Sequence, residues 1–194
     1  MVRLLDKQAM RSIKESIPFS GTALLTDPSV AKSAYVDESA AVIGDVILKD
    51  DASVWPQVSV RGDLLTITIG KGTNIQDCST LHTTEYPKDS GEGFALTIGD
   101  DVTVGHGVIL HGCEIKNNCL IGMGAIILDG AVVEPWVFLG AGSLVPPGKV
   151  LESGYMYLGS PVKKIRPISD QERKIIQENA NHYVKVKNRY KADI

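Results

Sequence analysis

Four histidines occur in the 194-residue chain, and three of them, His82, His106 and His111, fall in its middle. His106 and His111 stand in H-x4-H spacing. Imidazole suits zinc, iron(II) or cobalt, with availability deciding among them. Three neutral imidazoles on one ion leave a coordination position open to water, the pattern of catalytic rather than structural zinc. Zinc lowers the pKa of a bound water to about 7, so hydroxide chemistry at neutral pH is within reach of such a set. The alternative is that each is a surface or hydrogen-bonding histidine. The choice depends on where the supporting elements place the three rings. His182, in a helical stretch far along the chain, is read as a surface residue. Cys78, Cys113 and Cys119 are odd in number and lack CxxC spacing, so neither a disulfide framework nor a thiolate zinc site is signalled.

The supporting elements follow from an internal repeat, the first thing to seek in any chain. From Val30, steps of six land on Val36, Val42, Leu48, Val54 and Val60, all aliphatic. A three-residue insertion within Asp63 to Thr68 resets the count, which resumes at Ile69, Ile75 and Leu81. A longer insertion, Thr83 to Thr97, precedes Ile98, Val104 and Leu110. One five-residue step then leads to Ile115, Ile121, Ile127, Val133, Leu139 and Val145. Four residues after most landings stands a small or β-branched residue, such as Ala52, Thr73, Ser79, Val108, Cys119 or Ala131.

The physical reading is a prism. Each hexapeptide makes a short strand and a corner, and three of them close one triangular coil with the aliphatic residue inward. Eighteen landings on three faces predict six coils, roughly 29 Å of column at a strand spacing of about 4.8 Å. Neighbouring coils share one continuous core, as in other solenoids. Pro146-Pro147-Gly148 reads as the end of the column and Gly154 to Pro167 as a looser connection. Ser169-Asp170-Gln171-Glu172 reads as a capping box. It opens a helix whose apolar stripe (Ile175, Ile176, Ala180, Tyr183, Val184, Val186, Tyr190) lies back along the column. The organisation is therefore an N-terminal segment 1–29, a β-helix 30–150, and a connection with a C-terminal helix 151–194.

Assigning the faces in order places Val60, Leu81 and Leu110 on one face. His82 and His111 directly follow Leu81 and Leu110, so they share a repeat position on adjacent coils, about one strand spacing apart. Arg61, after Val60, is one coil further back. His106, two residues after Val104, belongs to another face, together with Gln76 and Asp77, which follow Ile75. A three-fold assembly of prisms brings the first of these faces against the other in a neighbouring subunit. The spacing thus predicts a split site, with His82 and His111 from one chain and His106 from its neighbour.

Composition limits the partners. Hydrophobic residues make up 43% and charged residues 22%, enough to bury a core. The net charge is −3 and no basic block exists that could neutralise phosphates, which argues against nucleic acid. Met1 to Pro18 mixes Arg3, Asp6, Lys7, Arg11, Lys14 and Glu15 among apolar residues, so no secretory signal or membrane span is read there. The expectation is a cytoplasmic protein without membrane contact.

Arg61-Gly62-Asp63, Asn74-Ile75-Gln76-Asp77, His82, and Gly105-His106 to His111-Gly112 together resemble the γ-class carbonic anhydrases and their close relatives. The likeness covers nearly the whole column and the terminal helix. It implies an all-β fold, a left-handed parallel β-helix of hexapeptide repeats with a C-terminal α-helix. It implies a homotrimer with three interface metal sites, each using His82, His106 and His111 to hold zinc, with iron(II) or cobalt as possible occupants. The implied activity is the reversible hydration of carbon dioxide to bicarbonate by a metal-bound hydroxide. Gln76 then corresponds to a hydrogen-bonding partner of hydroxide or bicarbonate. Arg61, Asp63 and Asp77 correspond to an interface ion network, Tyr183 to a tyrosine leaning over the site, and Glu85 to the proton-shuttle glutamate. Departures concern the proton route. Leu64 stands where the well-characterised enzyme of the class has a second acidic residue, Lys185 replaces an asparagine, and Asp89 and Glu92 are further acids in the Glu85 loop.

Two other functions fit a chain of this kind. Most hexapeptide β-helices are acyltransferases, so acyl or CoA-thioester chemistry is one, although fold analogy is a weak warrant. A non-catalytic trimer that keeps the metal is the other.

Overall fold

The computed structural model describes residues 26–86 and 93–192. Of the expected N-terminal segment only 26–29 fall within them, and Asp89 and Glu92 lie outside them. The repeat builds a parallel β-solenoid of about seven turns. Its strands are as short as two residues, for example Ser53–Val54, Asn74–Ile75, Thr103–Val104 and Leu120–Ile121. Backbone hydrogen bonds then run from coil to coil in register. One face stacks Val42, Val60, Leu81, Leu110, Ile127 and Val145. The next stacks Val30, Leu48, Ile69, Ile98, Ile115, Val133 and Leu151. The third stacks Val36, Val54, Ile75, Val104, Ile121, Leu139 and Tyr157. From Val42 onward every one of these side chains is buried. The intervening small residues fill the corners, where Ala52, Thr73, Ser79, Val108, Cys119, Ala125 and Ala131 are fully or almost fully enclosed.

Two of the sequence expectations need correction, and with them the predicted count of six coils. Pro146-Pro147-Gly148 does not end the column: Val150–Leu151 and Tyr155–Leu158 add further parallel rungs. The reason is turn chemistry. Gly148 has φ +66°, and proline followed by glycine at positive φ suits the centre of a type II turn, so the motif bends the chain into the next strand. Nor is Gly154 to Pro167 a loose connection, since Tyr155–Leu158 pairs antiparallel with Lys163–Pro167 and finishes the third face.

The first insertion shapes the centre of the molecule. Ala41–Leu48 and Ser59–Ile69 run around a corner together, pairing Gly44 with Gly62 and resuming at Val46 with Ile67. The extra residues bulge out between these pairs, as bulges at solenoid and sheet corners do. A Cβ at Gly62 would lie 2.5 Å from the Asp45 carbonyl oxygen, so only glycine permits this approach. The longer insertion leaves and returns through one antiparallel bridge between Thr84 and Phe94.

The helix Asp170–Ala192 returns along the third face, burying Ile176 and Ala180. The capping box forms in both directions: Glu172 N–H donates to Ser169 Oγ at 3.2 Å, and Ser169 N–H donates to Glu172 Oε2 at 2.8 Å. At the far end Lys187 is buried, its ammonium donating to the Ser33 carbonyl and paired with Asp51, both at 2.8 Å. Tyr183 and Tyr190 stack edge-on against Trp55. Among the described residues no helix is long and apolar enough to cross a membrane.

Two outcomes are expected. Ile127→Ala, which opens a cavity in a fully buried rung, lowers unfolding free energy by about 2–5 kcal/mol in urea titration. The Glu172 carboxyl, held at about 2 by Arg166 and the Ser169 N–H, stabilises the fold above its ordinary value of 4.5 and loses that effect as pH falls towards 2. The stability gap between wild type and Glu172→Gln therefore narrows over that interval, as thermal melts along a pH series will show.

Candidate metal centre

The register that stacks Leu81 on Leu110 also pairs His82 with His111. His82 Nδ1 lies 3.2 Å from His111 Nε2, with ring centroids 5.2 Å apart. The outer nitrogen of each ring faces an aspartate. His82 Nε2 is 2.9 Å from Asp63 Oδ1, and His111 Nδ1 is 2.7 Å from Asp129 Oδ1. The bulge that follows Gly62 is what brings Asp63 back onto the next coil, and its second oxygen receives Arg61. Thr84 donates to both Asp129 oxygens at 3.0 Å and lies 3.2 Å from His111 Nδ1. Arg61 itself is stacked in register beneath His82 and is half exposed.

His106 lies on the third face. Its Nδ1 is 3.1 Å from Asp77 Oδ2, on the preceding coil. Its turn is clamped by Ser79, which donates to the Gly105 carbonyl at 3.1 Å and accepts from Val108 N–H at 3.2 Å. Beside it Gln76 is buried, its Nε2 donating to Asn74 Oδ1 at 3.1 Å, and Asn74 in turn donates to Thr103. Gln76 and His106 share one cleft of about 420 Å³ with Tyr183, Asn179, Met123 and Phe138, between the third face and the helix. Tyr183 is half-buried. Burial, then the nearby charge of Asp77, raises its phenol pKa, so it is a donor at neutral pH. Glu85 follows Thr84 at the neck of the long loop and is half-buried. Among the described residues no three His, Cys, Asp or Glu groups of this one chain are placed to hold a single ion. The structure thus joins His82 and His111 and keeps His106 on another face.

These residues fit a metal well. Hydrogen bonds to Asp63 and Asp129 place the protons of both rings on the outer nitrogens, so two lone pairs meet at 3.2 Å. That contact is repulsive unless a cation lies between them. Two nitrogens on one tetrahedral zinc stand about 3.3–3.4 Å apart. Carboxylates that orient ligand imidazoles are a regular feature of metal sites. Protonation of a ring instead is resisted at His82, whose pKa burial lowers, against the opposing Asp63 and with help from Arg61. Asp129 and Thr84 did not stand out in the sequence. The signal was present in the register, since Leu110 pairs with Ile127 and brings Asp129 alongside Gly112.

Comparison with known proteins bears on the family and the fold. The model for "Bacterial transferase hexapeptide (six repeats)" matches residues 112–147. The chain is 56% identical over 163 residues to Protein YrdA of Escherichia coli, covering 84% of this chain and 89% of that one. It is 40% identical over 165 residues to a carbonic anhydrase of Geobacillus kaustophilus, covering 85% and 87%. The chain belongs to the γ-class carbonic anhydrase family. A solved structure from Bacillus cereus, described as a putative acetyltransferase, superposes with a TM-score of 0.81 at 40% identity over 87% of this chain and 94% of that one. Within the family's motif set, Asp63 and Asp77 here touch His82 and His106 of the same chain.

Proposed function

We propose that the chain forms a homotrimer that binds one divalent ion, zinc foremost, at each interface and hydrates carbon dioxide reversibly to bicarbonate. The observation that carries this reading is the convergence of His82 Nδ1 and His111 Nε2 on one point, each ring locked from behind by an aspartate. His106, whose Nδ1 lies 3.1 Å from Asp77 Oδ2, supplies the third imidazole to a neighbouring subunit. Bound there, the ion would act as a Lewis acid on water and make hydroxide available near neutral pH.

The chain's own groups handle the rest. Gln76, with its Nε2 committed to Asn74, keeps Oε1 to accept a hydrogen bond from water or bicarbonate. Tyr183 donates over the cleft, and Glu85 receives the proton and passes it to buffer. Leu64 leaves the rim one acid short, so proton export limits turnover. Acyl or thioester chemistry has one observation in its favour, a cleft lined by Leu120, Met123 and Phe138 that exceeds what carbon dioxide requires. The aspartate behind each of the three histidines favours the metal reading.

Stopped-flow hydration by zinc- and iron(II)-loaded protein, run beside a CoA-thioester hydrolysis assay, is the test. Slow hydration that imidazole buffer accelerates is expected, with about one metal per chain. Rates no faster than metal-free protein would overturn it, and thioester turnover instead would establish the alternative. His82→Ala and His106→Ala trimers each lose tight metal binding, while mixed trimers of the two recover part of it. Glu85→Ala slows turnover in weak buffer, is rescued by imidazole and keeps its metal.

A further inference from the structure

Asp129 lies outside the motif set that carries the family resemblance, yet it makes the shortest contact to a histidine in the centre, 2.7 Å from Oδ1 to His111 Nδ1. Its carboxylate reaches the ring through a gap that exists only because residue 112 is glycine. A Cβ there would stand 2.4 Å from Asp129 Oδ1 and 2.7 Å from Phe94 Cβ. Phe94 also closes over Gly130, whose added Cβ would lie 2.9 Å from its ring. Two backbone hydrogen bonds join Phe94 to Thr84, at 3.1 and 2.7 Å. The Thr84 hydroxyl then donates to both oxygens of Asp129. Loop neck, aspartate and imidazole form one connected unit.

We infer that Asp129, held by Thr84, is the positioning residue for His111: it fixes the Nδ1–H tautomer and aims Nε2 at the point His82 Nδ1 also faces. Through Thr84 it ties that ligand to the neck of the loop bearing Glu85. The inference rests on the proposed metal centre, but its first consequence does not need a metal. A neutral imidazole in water prefers its proton on Nε2, and only an acceptor at Nδ1 reverses this. In Asp129→Ala the carboxylate is gone and only the neutral Thr84 hydroxyl, 3.2 Å away, stays beside Nδ1, so the proton moves to Nε2, where His82 Nδ1 accepts it at 3.2 Å. Asp129→Asn keeps a carboxamide oxygen in place and preserves the tautomer without the charge.

The experiment uses the full-length protein with 15N-labelled histidine. Long-range 1H–15N spectra of metal-free protein read the His111 tautomer, and chelator competition reads zinc affinity. Wild type is expected to show Nδ1–H, Asp129→Ala mainly Nε2–H, and Asp129→Asn to retain Nδ1–H. Zinc affinity falls about 10–100-fold in Asp129→Ala and less in Asp129→Asn and Thr84→Val, as expected for a partner that orients a ligand. Thermal melts of the metal-free variants stay close to wild type. A His111 that carries Nε2–H in metal-free wild type, or an Asp129→Ala protein that binds zinc as tightly as wild type, would overturn the assignment. If wild type takes up no zinc, the proposed centre falls while the tautomer still decides Asp129. Loss of Nδ1–H in Asp129→Ala then supports the role, and its retention refutes it.

Discussion

Parallel, in-register stacking of coils is the constraint on which everything else depends. One strand spacing separates equivalent residues on successive coils, about 4.8 Å. Aliphatic side chains at that spacing fill a continuous core. Backbone N–H and C=O groups at that spacing satisfy one another across coils, so strands of two residues suffice. Polar residues placed on the same ladder meet with equal regularity. Leu81 on Leu110 is packing, and His82 on His111, one residue later, is the imidazole pair of the proposed metal centre. The same hydrogen-bonded register makes both.

Departures from the repeat are where chemistry is added. The first insertion bulges from a corner that only Gly44 and Gly62 allow, and this turns Asp63 onto His82. The second leaves the column just after His82 and returns through the Thr84–Phe94 bridge, carrying Glu85 at its neck. The coil that follows holds Asp129 against His111. A regular solenoid supplies rigid spacing, while its two interruptions supply carboxylates at angles a strict six-residue repeat does not reach. Rigidity matters because imidazole donors must be aimed as well as near, and the aspartate behind each ring provides the aim.

The helix illustrates how far local pattern reaches. Its capping box and the inward placing of Ile176 and Ala180 follow from spacing alone. Lys187 does not: a lysine on a helix is ordinarily solvated, and here it is enclosed because the first coil offers the Ser33 carbonyl and the second offers Asp51 at its tip. Tyr190, expected in the apolar stripe, packs its ring edge on Trp55 and Tyr35 yet keeps half its surface exposed. The Pro-Pro-Gly segment turns within the column instead of ending it for a related reason. Proline and glycine mark both ends of elements and turns within them, and only the pairing of Val150–Leu151 with the coil before it tells which.

What the amino-acid sequence determined by itself was everything that depends on period: the column, its three faces, and the pairing of His82 with His111. Periodicity carries that information because inward residues must recur at fixed steps to bury one core. The motif residues added the family. What only the tertiary structure decided was which polar side chains meet across coils. Asp63 and Asp129 locking the two rings, Asp77 beside His106, Thr84 linking the aspartate behind His111 to a loop, and Gln76 with Tyr183 sharing a cleft belong to this kind. Each depends on side-chain direction after a bulge, a turn or a helix return, and a count of residues along the chain contains no such direction.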